Sequence, residues 1–114
     1  MAALPFVSVV IPNYNNAKRL GECLRALRAQ QYPADRFEII VVDNDSTDNA
    51  VAVAQQHRAT VLHQHQLKSP YPSRNMGIKA AKGSLIAQLD STLVPEPQWL
   101  AEAVRVLQSD DQIG

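Results

Sequence analysis

Four apolar runs, separated by segments of helical periodicity, constrain the fold of this chain more than any other feature. The first two runs, "FVSVVIP" at 6–12 and "FEIIVVD" at 37–43, are nearly continuous and rich in Val and Ile. Strands of this kind are buried on both faces, which is typical of parallel sheets. Shorter runs at 60–65 and 84–90 complete a predicted set of four strands.

The segments between the strands predict four helices, over 16–31, 46–57, 71–83 and 95–110. One face of the first helix carries apolar residues at helical spacing: Leu20, Cys23, Leu24 and Leu27. Ser46 is the expected N-cap of the second helix, and Gly83 the expected C-terminal stop of the third. A stripe on the fourth helix is expected to face the core: Trp99, Ala103, Val106 and Leu107.

The order of these elements predicts an α/β fold. Strands that alternate with helices form a Rossmann-like half-domain, a mostly parallel sheet of about four strands with helices on both faces. The 114 residues fit one compact domain. Ligands of such sheets bind outside the carboxyl ends of the strands, so the residues that follow each strand are the candidates for a site.

Composition excludes several classes of function. Lys and Arg number 11, as do Asp and Glu, so no net charge favours nucleic acid or an anionic membrane. No apolar stretch approaches the roughly 18 residues of a membrane span. The first apolar run has no positive charge before it and is bracketed by Pro5 and Pro12, which indicates a strand and not a signal peptide. A single cysteine, Cys23, excludes a disulfide within the chain, favours a reducing cytosol and is expected in the core.

The loops after the first two strands are polar. "PNYNN" at 12–16 places Tyr14 among asparagines, which suits either stacking on a nucleobase or a turn that caps the next helix. "VVDNDSTDN" crowds three acids near a helix start, more than capping explains. We expect Asp43 to contact a ligand, Asp45 to be a turn residue and Asp48 to be a first-turn acid.

Two further segments carry candidate residues. In "SRNMGIKAAKG", Arg74 is expected at a helix start, either as part of a diphosphate site or as an exposed arginine. Gly77 indicates close packing or close approach of a ligand. Asp90 ends the fourth run, where its partner is a metal, a sugar hydroxyl or the N–H groups of a helix or turn cap. His63 and His65 have no acid or cysteine at metal-binding spacing and are expected at the surface.

Five of these motifs together, over Phe6 to Leu107, resemble the N-terminal half of family 2 glycosyltransferases of the GT-A fold: "VSVVIPNYNN", "CLRALRAQQYP", "FEIIVVDNDSTD", "SRNMGIKAAKG" and "LIAQLDSTLVPEPQWL". The resemblance implies a site for a nucleotide-diphosphate sugar. Its residues are Pro12, Tyr14, Asn15, Asp43, Asn44, Arg74 and Asp90.

The chain departs from the family pattern at two positions. Asn44 stands where the common "DDGS" motif has its second acid, which leaves uridine and thymidine diphosphate sugars both open. Asp90 matches the first acid of the Asp-x-Asp motif, but Thr92 replaces the last acid, which would ligate a divalent cation. If Mg²⁺ or Mn²⁺ binds, we expect it to depend on Asp90, the diphosphate and water, with lowered affinity.

The resemblance also implies what the protein does. We expect residues 1–114 to be a truncated N-terminal donor-binding part of an inverting glycosyltransferase, inactive alone because the acceptor half is absent. Asp110 and Asp111, at a helix end, are on the wrong side to act as the general base, so the chain contains no catalytic residue. The acceptor is a glycan, a lipid or another molecule, and surface polysaccharide assembly is the expected context.

Other functions, and association with a second copy of the chain, are also compatible with this scaffold. The scaffold also suits a non-catalytic nucleotide-sugar-binding or interaction module; a nucleotidyltransferase would need a glycine-rich basic loop after the first strand, which "PNYNNAKRL" lacks. The fourth strand, uncovered, is expected to allow self-association through an exposed sheet edge. We expect a cytoplasmic location, with the full-length protein at the inner face of the membrane.

Overall fold

The computed structural model describes the backbone of residues 4–65 and 70–113, and the side chains of 4–65 and 74–108. The strands are β1 Val7–Asn13, β2 Phe37–Asp43, β3 Thr60–His63 and β4 Leu85–Gln88. The α-helices are α1 Ala17–Arg28, α2 Ala50–Gln56, α3 Pro70–Ala80 and α4 Trp99–Ile113, and a short 3-10 helix spans Ala34–Arg36. The predicted alternation of four strands and four helices is confirmed.

The four strands form one parallel sheet in the order β3-β2-β1-β4. Strand β1 is central, and its register runs from Val7 opposite Phe37 to Asn13 opposite Asp43. Because all four strands point the same way, their carboxyl ends meet at one edge of the sheet. In the described part of the chain, β4 pairs with β1 alone and is an edge strand.

Helices cover both faces of the sheet, as predicted, because successive side chains of each strand point to opposite faces. On one face, alternate residues of β1 and β2 pack against buried residues of α1, α2 and α4: Leu20, Cys23, Leu24, Leu27, Ala50, Ala54, Leu100 and Val104. On the other face, Val10, Ile40 and Val42 pack against Met76 of α3 and Ala81 just beyond it. Cys23 is fully buried, so its expected place in the core is confirmed.

The helix boundaries differ from the predicted ones. Helix α2 begins at Ala50 and not at 46, and α3 begins at Pro70, so Arg74 lies inside the helix and not at its start. Helix α3 ends at Ala80, three residues before Gly83, so Gly83 is not its C-terminal stop. Local signals mark approximate ends only, because tertiary hydrogen bonds decide which residues complete the first and last turns.

The apolar stripe of α4 also differs from the predicted one. The helix begins at Trp99; among its side chains that the structure describes, Leu100 and Val104 are buried, whereas Val106 is 48% exposed. Trp99 is half-buried against the larger core cluster, which confirms its expected structural role. The buried stripe is therefore shifted by one residue, since the helix meets the sheet at an angle that spacing alone does not fix.

Two glycines allow elements to approach the central strand. A Cβ on Gly77 would lie 2.3 Å from Cγ1 of Val10, and a Cβ on Gly83 would lie 2.6 Å from the backbone nitrogen of Ser8. Both distances are below any real carbon contact. Gly77 is thus explained by close packing of α3 on β1, one of the two expected alternatives, and Gly83 by close approach of the chain to β1.

The amino end of the sheet is held by a polar network around the buried Ser8. Ser8, fully buried in β1, donates its hydroxyl to Oε2 of Glu38 at 2.6 Å and accepts the N–H of Gly83 at 2.8 Å. The same Glu38 oxygen accepts the N–H of Lys82 at 2.8 Å. This network fixes the turn before β4 against β1 and β2.

Helices α1 and α2 are joined at the end of α2 by one arginine. Arg28 donates from Nε to the carbonyl of His57 at 2.8 Å and from Nη2 to the carbonyl of Arg58 at 2.9 Å. Partial burial, and secondarily the nearby Arg58, lower the pKa of Arg28. Among the helices that the structure describes, none is long and apolar enough to cross a bilayer.

Candidate functional site

The ends of β1 and β2 are tied together by side chains. Asn13 and Asp43 are register partners, and Nδ2 of Asn13 donates to Oδ1 of Asp43 at 3.2 Å. Both residues are buried, at 4% and 2% exposure. Within the described part of the chain, the buried Oδ1 of Asn13 accepts no hydrogen bond, an exception to the rule that buried polar atoms are satisfied.

Asp43 is held by its own loop as well. Its Oδ2 accepts the N–H of Ser46 at 2.9 Å, and its Oδ1 accepts the Ser46 hydroxyl at 2.6 Å. Ser46 is therefore not the N-cap of α2, as its place in the sequence predicted; it orients the carboxylate at the end of β2. An ionised carboxyl has about four acceptor positions, and among the described residues three donors reach Asp43: the side chain of Asn13 and the N–H and hydroxyl of Ser46.

The loop after β1 binds the loop after β2. Asn15 lies in the left-handed region, with φ 45°, and its N–H donates to Oγ of Ser46 at 2.9 Å. Its Oδ1 accepts the N–H of Thr47 at 2.7 Å and the Thr47 hydroxyl at 3.3 Å. The turn that carries Tyr14 is thus fixed to the acidic loop by backbone and side-chain bonds.

One carboxylate caps two helices. Oδ2 of Asp48 accepts the N–H of Ala17, the first residue of α1, and Oδ1 accepts the N–H of Ala50, the first residue of α2, both at 3.0 Å. The residues in the N-cap positions themselves, Asn16 and Asn49, make no side-chain capping bond. Asp48 was expected as a first-turn acid of α2; it lies just before that helix and serves α1 too.

The segment after β4 contains Asp90 in a tight turn. Oδ1 of Asp90 accepts both the N–H and the hydroxyl of Thr92, each at 2.9 Å. These two bonds, the backbone one first, lower the pKa of Asp90; partial burial opposes the shift, and the charge of Arg74 adds to it. A turn cap was one of the three expected partners of this carboxylate. Neither of the two bonds from Thr92 uses the second carboxylate oxygen of Asp90, Oδ2.

This segment is joined to the first loop. Nδ2 of Asn16 donates to Oγ of Ser91 at 3.4 Å, and the Cys23 thiol lies 4.0 Å from the carbonyl oxygen of Asp90. Burial, and secondarily the Asp90 charge, raise the pKa of Cys23 to about 12. The thiol is therefore a neutral packing group beneath the Asp90 turn and not a nucleophile.

The carboxyl end of β3 lies at the same edge of the sheet. The N–H of Gln64 donates to the carbonyl of Asp43 at 2.8 Å. His65 pairs through Nδ1 with Oδ1 of Asp45 at 2.5 Å, and the His63 ring stacks on it. Both histidines are exposed, as expected. Asp45 has φ 55°, which confirms its expected place in a turn.

We call this edge the carboxyl rim: the last two residues of β1, the last residue of β2 and the residues that follow each of the four strands, held together by the hydrogen bonds above. Six of the seven predicted site residues lie on it, and the seventh, Arg74, acts on it from α3 through its charge. Tyr14 is 42% exposed, Pro12 is half-buried and Asn44 is 5% exposed. The structure therefore places Pro12, Tyr14, Asn15, Asp43, Asn44 and Asp90 at one edge of the sheet, with the charge of Arg74 near enough to lower the pKa of Asp90.

Three rim residues were missed or misread from the sequence: Asn13, Ser46 and Asp48. Asn13 is marked only by its register opposite Asp43, which the sequence does not display. The contact of Ser46 with Asp43, three residues earlier, is a local pattern that could have been found, because Asp side chains commonly bond the backbone and hydroxyls that follow them. The second cap made by Asp48 joins residues 31 apart and has no local signal.

The rim offers few ligands for a metal ion. Among the described residues, no group of three or more His, Cys, Asp or Glu side chains could hold one. Thr92, in the place of the family's last acid, uses its hydroxyl to donate to Asp90. The donor set fits a cation held by one carboxylate oxygen of Asp90, with the remaining positions filled by ligand phosphates and water.

A sheet of four parallel strands with a loop-built rim at its carboxyl ends is the architecture of GT-A fold glycosyltransferases. The structure superposes with a TM-score of 0.83 on Staphylococcus aureus TarS 1–349 in complex with UDP, at 28% identity, over 91% of this chain and 32% of that one. It superposes with a TM-score of 0.85 on the mannosyltransferase PcManGT of Pyrobaculum calidifontis in complex with GDP-Man and Mn²⁺, at 27% identity, over 93% of this chain and 33% of that one. The predicted fold is confirmed.

The chain belongs to Glycosyl transferase family 2, whose family model matches residues 8–114. Among curated relatives, glycosyltransferase AglE of Haloferax volcanii is 37% identical over 111 residues, which are 93% of this chain and 36% of AglE. The chain spans about a third of the length of these relatives. The resemblance seen in the sequence motifs is thus confirmed at the level of the family.

Proposed function

We propose that this chain is the donor-binding part of a glycosyltransferase. The reaction is transfer of a sugar from a nucleotide-diphosphate sugar, of the UDP or dTDP type, to a glycan, a lipid or another acceptor, with inversion. The observation that carries the proposal is the carboxyl rim, where Tyr14, Asp43 and Asp90 lie at the ends of three neighbouring strands. We assign residues 1–114 to the N-terminal donor-binding part of the domain and leave the acceptor site outside it.

The chemistry of the rim supports this assignment. Tyr14 offers an exposed aromatic ring on which a nucleobase can stack. Asp43 supplies acceptor oxygens at the end of β2, and Asn44 beside it carries both a donor and acceptors, which suits the edge of a pyrimidine. The unpartnered carbonyl of Asn13 adds an acceptor next to Asp43. Pro12, two residues before Tyr14, and Asn15, directly after it, are assigned to the same part of the site.

Arg74 and Asp90 are assigned to the sugar diphosphate. A guanidinium is suited to phosphate oxygens, and the charge of Arg74 is close enough to Asp90 to lower its pKa. Asp90 stays ionised over the physiological range and can accept hydrogen bonds from ribose or sugar hydroxyls. The two charges of opposite sign match a ligand whose diphosphate is anionic and whose hydroxyls are donors.

The names of relatives are consistent with such a donor. One TarS structure is in complex with UDP and another with UDP-GlcNAc, whereas PcManGT is in complex with GDP-Man and Mn²⁺. These ligands share a nucleoside diphosphate and differ in the base. We favour the pyrimidine donors for this chain because Asn44 offers both a donor and an acceptor, which suits the edge of a pyrimidine.

A divalent cation, Mg²⁺ or Mn²⁺, would be held by Asp90 and the diphosphate, and when bound it would offset the negative charge of the leaving diphosphate. Arg74 would offset the same negative charge from the protein side, because the charge of its guanidinium does not depend on an added ion. An inverting transfer also needs a general base near the acceptor hydroxyl, and we assign that base to a part of the protein outside residues 1–114. We place the reaction in the cytoplasm.

The proposal is tested by isothermal titration of the chain with UDP, dTDP and GDP, each with Mn²⁺ and with EDTA. UDP or dTDP should bind, and Tyr14→Ala and Asp90→Ala should each weaken binding about tenfold or more. Asp35→Ala, an exposed acid in the 3-10 helix away from the rim, is the control and should leave affinity unchanged. No measurable binding of any nucleoside diphosphate by the unaltered chain would refute the assignment.

A second candidate, a non-catalytic nucleotide-sugar-binding module, is favoured by one observation: Thr92 donates to Asp90 where the family has an acid. The variant Thr92→Asp separates the two. If it makes UDP binding dependent on Mn²⁺ and leaves Asp43 and Tyr14 contacts intact, the rim retains the geometry of an enzyme site. If Mn²⁺ does not change UDP binding by the unaltered chain or by Thr92→Asp, the result favours the non-catalytic binding module.

A further inference from the structure

Asn15, Ser46 and Thr47 form a link between two loops, which we call the loop clasp. Three hydrogen bonds make it: the N–H of Asn15 to Oγ of Ser46, and the N–H and hydroxyl of Thr47 to Oδ1 of Asn15. Asn15 precedes Ser46 by 31 residues and Thr47 by 32 residues in the chain. The clasp is therefore a tertiary contact, built only when β1 and β2 are paired.

Ser46 links the loop after β1 to the carboxylate of Asp43 at the end of β2. Its hydroxyl oxygen accepts from the backbone of Asn15, and its hydroxyl hydrogen goes to Oδ1 of Asp43 at 2.6 Å. Its own N–H holds Oδ2 of Asp43 at 2.9 Å. Both carboxylate oxygens are thus oriented by one residue, and that residue is in turn positioned by Asn15.

The clasp also fixes Tyr14, which lies between two anchored neighbours. Asn13 is tied to Asp43 on one side, and Asn15 is tied to Ser46 and Thr47 on the other. Asn15 holds a left-handed φ of 45°, which asparagine tolerates better than most residues. The chain bends at Tyr14 and Asn15, directly after β1, and the side chain of Tyr14 is 42% exposed there.

We propose that Asn15 and Ser46 are positioning residues of the donor site. They set the distance and orientation between the Tyr14 ring and the Asp43 carboxylate, the two groups between which the nucleobase binds. This inference rests on the proposed function. It extends the site to Ser46, and it gives Asn15 a role through the loops, by its N–H and Oδ1, instead of a direct hydrogen bond from those atoms to the nucleotide.

The chain offers a closely matched control. Ser8 makes the same pair of contacts at the opposite end of the sheet: its hydroxyl donates to a carboxylate at 2.6 Å and accepts a backbone N–H at 2.8 Å. Ser8→Ala and Ser46→Ala therefore remove equivalent bonds, one far from the rim and one in the clasp. A merely structural role predicts similar effects of the two changes on stability and on nucleotide affinity.

The test is UDP titration calorimetry, with urea unfolding in parallel, on the unaltered chain, Ser8→Ala, Ser46→Ala and Ser46→Thr. Ser46→Ala should weaken UDP binding about tenfold, the size expected for loss of a hydrogen bond to a charged group. Ser46→Thr keeps the hydroxyl and should restore affinity to within about twofold. Ser8→Ala should lose stability with an unchanged dissociation constant.

Asn15→Gly is a second probe, for use if Ser46→Ala does not fold. It keeps the left-handed backbone and the N–H but removes Oδ1, so it should weaken UDP binding several-fold while Asn15→Asp retains it. UDP binding that both Ser46→Ala and Asn15→Gly leave unchanged, or that Ser8→Ala weakens equally, overturns the inference alone. Absence of nucleotide binding by the unaltered chain overturns the proposed function and this inference with it.

Discussion

The carboxylate of Asp48 accepts the backbone N–H of Ala17 at 3.0 Å, across 31 residues of sequence, while its other oxygen accepts the N–H of Ala50. One side chain thus satisfies the first turns of two helices, both of which start at the carboxyl rim. The N-terminal N–H groups of a helix lack partners within it, and an anion there also meets the favourable end of the helix dipole. Asp48 therefore couples the two loops mechanically and electrostatically.

Replacing Asp48 should destabilise the fold through both helices. We expect Asp48→Ala to lower the free energy of unfolding by about 2 kcal/mol, since each lost cap is worth about 1 kcal/mol. Asp48→Asn, which keeps an acceptor, should lose less. Urea unfolding followed by circular dichroism measures both, with Asp35→Ala as a control expected within about 0.5 kcal/mol of the unaltered chain. Equal stability of the two alanine variants would contradict the double cap.

The three described glycines whose surroundings differ should respond differently to alanine. Gly77→Ala should cost about 1–3 kcal/mol, because its Cβ would meet Cγ1 of the fully buried Val10 at 2.3 Å. Gly83→Ala should be at least as costly, because the atom in its way belongs to the backbone of Ser8. Gly21, inside α1, has only an ordinary 3.4 Å contact with Val53, so Gly21→Ala should stabilise by about 0.5–1 kcal/mol. Thermal melts of the three variants test this order.

Cys23 should make stability depend on pH in the alkaline range. Burial, and then the Asp90 charge, raise the pKa of its thiol from 9.0 to about 12 in the folded chain, so the unfolded chain loses this proton first. The contribution is complete below pH 9 and is lost as pH rises from there toward 12. The free energy of unfolding should fall between about pH 9 and about pH 12, and less steeply in Cys23→Ala. Alkylation of the thiol should require unfolding; rapid labelling of the native chain would contradict the burial.

Asp90 should titrate at low pH. The N–H of Thr92, then its hydroxyl, and then Arg74 lower the pKa of Asp90 below the ordinary value of 3.8. Its stabilising contribution is therefore present above that value and is lost as pH falls through the folded pKa. Carboxyl-carbon NMR titration should show a higher pKa in Thr92→Val, which lacks the hydroxyl, and little change in Thr92→Ser. An unaltered midpoint in Thr92→Val would show that the hydroxyl bond does not persist in solution.

The edge strand β4 should permit self-association. Its neighbour on one side is β1, and in the described residues its other side has no strand partner. We expect light scattering to show dimers or larger species that grow with concentration. The paired change Ser84→Lys and Gln88→Lys should suppress them, whereas Ala101→Lys on the exposed surface of α4 should not. Light scattering that shows only monomer at high protein concentration would contradict self-association through β4.

Most of the fold could be predicted from the sequence. Continuous Val and Ile runs read directly as buried parallel strands, and the predicted and observed extents of β2 coincide. The ends of the helices were predicted less well. Helix α3 shows why: it packs through Gly77 onto Val10, so a long-range contact and not a local signal decides where Arg74 sits in the helix.

The sequence indicated which of the candidate side chains lie near the carboxyl ends of the strands, but not the hydrogen bonds that join them. Strand ends mark Asp43 and Asp90, because parallel strands bring their carboxyl ends to one edge. No spacing in the sequence indicates that the N–H of Asn15 bonds Ser46, or that the side chain of Asn15 bonds Thr47. Those choices depend on which loop atoms come within 3 Å once the sheet is assembled.

What the sequence determined by itself is therefore the type of sheet, the order of its elements and the side chains at its carboxyl edge, because hydrophobic periodicity and strand-end chemistry are local properties. Only the tertiary structure decided the register of Asn13 with Asp43, the shared cap of Asp48 and the turn that binds Thr92 to Asp90. Hydrogen bonds are short and directional, so which donor meets which carboxylate is settled by packing across the whole chain.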